Sequence, residues 1–130
     1  MQMTFLRSWA PHILSILRIL AAATFLTHGT MKLFGWPASM GDGPLGTLML
    51  VAGILEVVGG LLLIVGLFSR PVAFILAGQM AVAYFLGHAG QGFFPALNGG
   101  EPALLFCWVF LYIAAAGPGP ISLDAMSGRD

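Results

Sequence analysis

Glu56 is the residue of this sequence whose type and position most clearly indicate a role in charge pairing, proton transfer or ligand binding. It is a carboxylate inside a long apolar run that extends over residues 45–68. If the run is helical, it rises ~1.5 Å per residue, crosses the ~30 Å hydrocarbon core of a bilayer and places Glu56 near the middle. A charge at that depth costs ~2.5–3.5 kcal/mol. Glu56 therefore needs a cationic partner or a proton, and it could also orient a ligand.

Three bases lie in the preceding apolar stretch, namely Arg18, His28 and Lys32. At ~100° per helical residue they share one face, and such faces point into the protein in membranes. Depths counted from the inner helix ends place Glu56 between Arg18 and His28. We predict that Arg18 is the partner of Glu56, because a guanidinium can donate two bonds to one carboxylate. His28 would be a titratable neighbour.

The predicted buried polar core is thus Arg18, Glu56 and His28. Gly53 and Gly60 lie on the same helical face as Glu56, and small residues let helices approach closely in lipid. Three interpretations stay open for this core. It could be a structural ion pair that fixes how the helices pack, a group that carries protons or orients a ligand, or a contact with lipid or a partner.

A second polar cluster is predicted at the outer end of the helices, where it could form the mouth of a ligand site. Its members are Lys32, His88, Asn98 and Glu101. Phe93 and Phe94 would supply apolar walls, as in a site for a small amphipathic molecule. The alternative is structural, with Lys32 reaching toward the membrane surface and Glu101 at a helix N-terminus.

No motif of independent catalysis or metal binding occurs in the sequence. There is no His-x-x-x-His or Glu-x-x-His spacing, so we predict no metal site. Cys107 is the only cysteine, which excludes an internal disulfide or a Cys-x-x-Cys redox pair. We therefore assign no catalytic residue, and a non-catalytic subunit of an oxidoreductase is a candidate role.

The composition indicates whether these residues belong to a soluble protein or to a membrane protein. Of 130 residues 58% are hydrophobic and 8% are charged, against about 25% charged in soluble domains. We predict an integral membrane protein with a single domain over residues 1–130. The formal net charge is zero and there is no basic patch, which argues against nucleic-acid binding.

The predicted fold is all-α, an antiparallel up-down four-helix bundle in the membrane. Its spans are expected at about 12–34, 45–68, 71–88 and 101–116. We expect the glycine-rich connection 87–100 to fold back on the bundle without a regular helix, and residues 121–130 to be extended or loosely ordered.

The basic residues predict the orientation of these spans. Arg7, Arg70 and Arg129 would lie on one side and only Lys32 toward the other, so both termini are expected in the cytoplasm. Arg18 interrupts the apolar region that a signal peptide needs. We therefore expect the first span to stay uncleaved in the inner membrane.

Several segments, in order, resemble the DoxX family of small four-span bacterial membrane proteins. They are Leu17-Arg18, residues 28–35, residues 56–70, residues 98–101 and residues 117–124. The resemblance implies a four-helix membrane bundle, and it marks family-pattern positions at Arg18, Lys32, Glu56, Asn98, Glu101 and Asp124. It also implies a link to quinol oxidase or quinone-dependent sulfur oxidation.

These observations favour a small inner-membrane accessory subunit of a redox or quinone-linked system. The ligand would be a quinone head group or a lipid, and the partner a redox enzyme subunit or a second copy of the chain. Two alternatives stay open: a transporter-like bundle for small molecules, and a structural partner of a larger membrane complex with no ligand of its own.

Overall fold

The computed structural model describes residues 2–41 and 43–130, and helices form all the regular structure in this part of the chain. A short 3-10 helix, Thr4–Trp9, runs directly into the first long helix. The helices are α1 (Ala10–Phe34), α2 (Thr47–Val65), α3 (Ser69–Gly87), α4 (Pro95–Asn98), α5 (Glu101–Ala116) and α6 (Leu123–Met126). The prediction of an all-helical chain is confirmed.

Within these described residues, three segments are long and apolar enough to cross a membrane: Thr4–Phe34, Thr47–Val65 and Ser69–Gln91. Helix α5 is apolar but has 16 residues, which corresponds to about 24 Å of helix. That length is shorter than the ~30 Å core of a typical bilayer. The bounds of α5 coincide with the predicted 101–116.

The helix that carries Glu56 is shorter than predicted. Helix α2 ends at Val65 rather than at residue 68, because Gly66 adopts a left-handed conformation with φ 74° and terminates the helix. Helix α3 begins at Ser69, two residues before the expected start at Pro71. Proline is tolerated there because the first turn of a helix needs no donor from its backbone nitrogen.

Small residues set the contact between α1 and α2. A Cβ added to Gly29 would stand 2.8 Å from the Cβ of Glu56, and one added to Gly53 would stand 2.8 Å from the side chain of Leu33. A Cβ added to Gly60 would lie 3.2 Å from the Cβ of Leu26. The predicted packing face of α2 is confirmed, and Gly29 is its counterpart on α1.

The core lies where α1 and α2 meet α3 and α5. Phe25 of α1 packs edge-on against Phe110 of α5, with the ring centres 5.0 Å apart. On the other side, a Cβ at Gly59 of α2 would stand 3.0 Å from Leu76 of α3. Further buried apolar residues are Ala22, Leu63, Ala73, Ala77, Met80 and Ile113.

The helices have two ends with different surroundings. We call one the tail end: it comprises the C-terminus of α2, the N-terminus of α3 and residues 117–124. We call the other the cavity end: it comprises the C-termini of α1 and α3, the N-termini of α2 and α5, and residues 88–100. Of the predicted site residues Arg18 lies at the tail end, whereas Glu56, His28, Lys32 and His88 lie toward the cavity end.

Three predictions about connecting segments are wrong. Residues 87–100 contain the 3-10 helix Ala89–Gln91 and the short helix α4, because proline at the start and glycine at the end define one helical turn. Phe93 and Phe94 are 87% and 62% exposed and contact each other rather than walling a pocket. Residues 121–130 are not loosely ordered, since they contain α6 and are bonded to the helices at the tail end.

Candidate functional site

Arg18 is completely buried at the tail end, and its donors all go to backbone carbonyl oxygens. Nε donates to Leu63 O at 2.7 Å, and Nη2 donates to Ile121 O at 2.6 Å and to Ile64 O at 3.5 Å. Nη1 donates to the carbonyl of Pro118. The last carbonyls of a helix lack intrahelical partners. Arg18 therefore satisfies the end of α2 and fastens the chain after α5 to it.

Asp124 completes the tail end from α6. Its carboxylate accepts hydrogen bonds from the backbone nitrogens of Phe68, at 2.9 Å, and Ser69, at 2.8 Å. It thereby caps the start of α3 across 55 residues of chain. Burial by itself raises the pKa of Asp124, but these two bonds and nearby Arg129 outweigh it and hold the pKa below its ordinary value.

Glu56 lies elsewhere, closer to the cavity end, and is 2% exposed. Its Oε1 accepts a hydrogen bond from Lys32 Nζ at 2.9 Å, which makes a buried ion pair. Its Oε2 accepts a hydrogen bond from Gln79 Nε2 at 2.8 Å. The predicted pairing of Glu56 with Arg18 is therefore wrong, and the partner is Lys32.

The register of α1 against α2 explains this correction. Arg18 lies beside Leu63, which is seven residues beyond Glu56, or about 10 Å along the helix. Gly29 faces Glu56 directly. Lys32 follows one turn later, within reach of a lysine side chain. Arg18 instead meets carbonyl oxygens at its own level and needs no carboxylate.

Gln79 is the site residue that the sequence interpretation missed. It reaches Glu56 from α3, and its amide nitrogen also lies 3.4 Å from Ala52 O. The signal was available, because an amide in the middle of an apolar helix is expensive in lipid unless it is hydrogen-bonded. Lys32, Glu56 and Gln79 thus join α1, α2 and α3 at one point, which we call the polar triad.

A cavity of about 650 Å³ opens at the cavity end beside the polar triad. Apart from the triad and two histidines its lining is apolar. The other lining residues are Phe25, Leu48, Met49, Ala52, Met80, Val82, Ala83, Leu86, Gly87, Gly99, Pro102, Ala103 and Phe106. Such a volume, with apolar walls and a few polar groups, fits a small amphipathic molecule.

Two histidines line this cavity with the polar triad. His28 packs edge-on against Phe106, with ring centres 6.0 Å apart, and within residues 2–41 and 43–130 it makes no hydrogen bond to protein. The Nδ1 atom of His88 lies 3.1 Å from Asn98 O. Of the predicted buried core and mouth, the cavity therefore gathers Glu56, His28, Lys32 and His88.

Asn98 and Glu101 do not line the cavity. Asn98 is buried and organises the loop: its Oδ1 accepts from Gly100 N at 2.8 Å, and its Nδ2 donates to Tyr84 Oη and Gly92 O. Glu101 is exposed at the N-terminus of α5, where an acid interacts favourably with the helix dipole. Both residues thus have structural roles in this geometry.

The edge of the cavity lies at the outer surface of α2 and α3. Leu48 of α2 and Leu86 of α3 line the cavity and are nevertheless 66% and 71% exposed. Met49 and Val82 lie beside them, also lining the cavity and exposed. The cavity therefore opens onto an exposed apolar surface between these two helices.

No group of three histidine, cysteine, aspartate or glutamate side chains in the part of the chain that the structure describes could hold a metal ion. Cys107 has a free thiol and is partly buried. The chemistry that this site offers is therefore hydrogen bonding and charge, from an ion pair, an amide and two imidazoles.

Comparisons with known proteins agree with the membrane character of the chain. The sequence model of the DoxX family matches residues 13–89. A Haemophilus influenzae protein, named only as uncharacterized, is 49% identical over 128 residues, which cover 94% of this chain and 96% of that protein. Inner membrane protein YphA of Escherichia coli is 29% identical over 125 residues, covering 88% of this chain and 89% of YphA. No solved structure matches significantly.

Proposed function

This chain belongs to the DoxX family of membrane proteins, and from that premise we propose that it binds a quinone-type molecule in the cavity beside the polar triad. The observation that carries the proposal is a cavity of about 650 Å³ whose apolar lining ends in the buried pair Lys32–Glu56. A quinone would match this lining, because its neutral polar ring could lie at the polar pair and its apolar tail along the apolar walls.

The charges at the site support a neutral head group. The positive charge of Lys32 is matched by Glu56 at 2.9 Å, so no cation of the polar triad is left over for a phosphate. Lys32 keeps further donor hydrogens beyond the one given to Glu56, and these suit a carbonyl or hydroxyl oxygen. Phe25 and Phe106 supply aromatic surface for a ring.

The position of the cavity supports access from the membrane. Its edge at Leu48 and Leu86 is apolar and exposed, so a lipid-soluble molecule could move in sideways from the bilayer with its tail still in lipid. This geometry requires that α2 and α3 both span the membrane. We propose four antiparallel spans, with α5 as the shortest, and both termini in the cytoplasm.

We further propose that the protein serves as an accessory subunit of a membrane redox enzyme, to which it presents the bound quinone. The family resemblance supports this role. Cross-linking in native membranes should recover an oxidoreductase subunit, and quinone-dependent respiration should fall when the cavity is altered. Recovery of the chain only with copies of itself, at unchanged respiration, would contradict the accessory role.

The binding proposal can be tested by mass spectrometry of intact protein extracted gently from its native membrane. We expect a retained quinone in the wild-type protein and its loss in the double variant K32M/E56Q, which removes both charges without leaving one unpaired. The matched control is Asp124→Asn at the tail end, which should keep the quinone. Quinone-free wild-type protein whose stability does not respond to added quinone would exclude the proposal.

A further inference from the structure

The hydrogen bond between His88 and Asn98 fixes which nitrogen of His88 carries the proton. Asn98 O lies 3.1 Å from His88 Nδ1, and a carbonyl oxygen can only accept a hydrogen bond. Nδ1 must therefore be the protonated nitrogen. In a neutral imidazole the other nitrogen, Nε2, then has only a lone pair to offer.

The loop holds this arrangement in place before any ligand arrives. Asn98 is itself fixed by bonds to Tyr84, Gly92 and Gly100. Gly99 turns with φ 76°, and a Cβ there would lie 3.6 Å from His88 Nδ1. The carbonyl of Asn98 therefore has little freedom to turn away from the ring.

Lys32 and His88 consequently differ in the chemical groups that they can bind. Lys32 donates to any oxygen, whether carbonyl or hydroxyl. His88 lines the same cavity, and among the described residues none donates a hydrogen bond to its Nε2. A diol can satisfy both residues, since one of its hydroxyl groups can accept from Lys32 and the other can donate to His88. A dicarbonyl can accept from Lys32 but has no hydrogen to donate to His88.

We infer that the cavity selects the reduced, hydroxyl-bearing form of its ligand, an aromatic diol, over the oxidised dicarbonyl form, and that His88 is the residue that distinguishes them. The inference rests on the proposed function and adds a preference to it. When a dicarbonyl binds, His88 Nε2 is left without a hydrogen-bond donor, and the free energy lost weakens binding about tenfold. Tighter binding of the reduced form raises the reduction potential of the bound two-electron couple by about 30 mV per tenfold.

The test compares a decyl-substituted benzohydroquinone with the corresponding benzoquinone on the full-length protein in lipid nanodiscs. Affinity is read from the dependence of the melting temperature on probe concentration, with the same titration repeated on His88→Phe and His28→Phe. His28 lines the cavity without a fixed tautomer, so its variant is a matched control for loss of a ring nitrogen. A dialkylglycerol, which has a hydroxyl but no aromatic ring, serves as a competitor.

We expect the wild-type protein to bind the diol about tenfold more tightly than the quinone. His88→Phe should bring the two dissociation constants together by weakening the diol, whereas His28→Phe should keep their ratio. The dialkylglycerol should not compete. The wild-type ratio needs no variant, so the inference stays testable even if His88→Phe does not fold.

Three results would overturn the inference while leaving the proposed function intact. They are equal or reversed affinities in the wild-type protein, a preference that persists in His88→Phe, and equally tight competition by the dialkylglycerol. Failure of both the diol and the quinone to bind would instead reject the proposed function, and the preference with it.

Discussion

Glu56 is neutralised by Lys32, which lies one turn beyond the level of Glu56 on α1, and not by Arg18, whose guanidinium has the better geometry for a carboxylate. Lys32 and Gln79 take both of its oxygens at 2.9 and 2.8 Å. Arg18 instead donates its hydrogen bonds to backbone carbonyl oxygens at the tail end. The protein interior thus stabilises buried charge in two ways, by an ion pair and by a guanidinium that is hydrogen-bonded to the backbone.

Lys32→Met should destabilise the protein by about 3 kcal/mol, because it leaves the buried carboxylate of Glu56 without its cation. Glu56→Gln should cost less, since Lys32 is 13% exposed against 2% for Glu56 and can turn toward water. The double variant K32M/E56Q should be more stable than Lys32→Met alone. Unfolding free energies in bicelles measure all three. A double variant as unstable as the sum of the two single ones would show that the residues are not coupled.

The lowered pKa of Asp124 predicts how the stability of the folded protein depends on pH. Its pKa is lower in the folded protein than its ordinary value of ~3.9, so the folded state binds fewer protons than the unfolded state below that pH. The stabilisation is complete above the ordinary value and is lost as the pH falls through the folded pKa.

Melting temperatures between neutral pH and about pH 2.5 should therefore fall more steeply for the wild-type protein than for Asp124→Asn. The variant should already be less stable at neutral pH, by about 1 kcal/mol, because an amide nitrogen replaces one of the two oxygens that accept backbone hydrogen bonds from Phe68 and Ser69. Parallel acid curves for the two proteins would show that the carboxylate cap does not control this transition.

At the scale of elements, the tail end works as a clasp made by short segments on long helices. Ser15 Oγ donates to Pro118 O at 3.2 Å and accepts from Ile121 N at 3.1 Å. Asp124 N donates to Gly66 O at 2.9 Å. Because Gly66 also ends α2, one glycine both terminates a helix and receives the tail.

Gly66→Ala tests the clasp against a matched control, Gly128→Ala. Both glycines have φ 74°, but a Cβ at Gly66 would collide with Ser122 and stand 3.1 Å from Arg18 Cζ, whereas one at Gly128 meets nothing within 4 Å. We expect Gly128→Ala to cost about 1 kcal/mol from backbone strain alone. Gly66→Ala should cost about 3 kcal/mol because a collision is added.

Unfolding free energies and the rate of protease cleavage after residue 117 are the two measurements for this pair. Gly66→Ala should release the tail to the protease and Gly128→Ala should not. Equal effects of the two substitutions would mean that the contact between Gly66 and Ser122 contributes nothing.

At the scale of the whole molecule, the four long helices form two pairs that are joined at the tail end and again at the polar triad. Helix α1 packs along α2, and α3 packs along α5. The pairs are joined at the tail end by Arg18 and Asp124, and the cavity separates them at the other end. A cavity with an apolar, exposed edge follows from this separation.

The four-span arrangement predicts that the connections 35–46 and 88–100 lie on one side of the membrane and residues 121–130 on the other. With Cys107 replaced by Ser, a membrane-impermeant maleimide should label Ser39→Cys and Leu97→Cys in intact spheroplasts. Ser127→Cys should react only after permeabilisation. Labelling of Leu97→Cys and Ser127→Cys from the same side would mean that α5 does not span.

Sequence patterns predicted the helices and the face with Gly53 and Gly60 because both depend on local periodicity. They failed for the partners of Arg18, which are backbone carbonyls, two of them 100 and 103 residues away. Every residue has such a carbonyl, so no residue type marks the acceptor. They also failed for Gln79, whose importance depends on the rotation of α3 toward Glu56.

The fastening of Arg18 to Pro118 and Ile121 has a consequence for biosynthesis. Arg18 leaves the ribosome with the first helix, while two of its acceptors are made about a hundred residues later. Through most of synthesis the nascent chain therefore holds an incompletely bonded guanidinium in or near the membrane. Its hydrogen bonds to residues 118 and 121 can form only after the last helix has been made, so the tail end is completed at the end of synthesis.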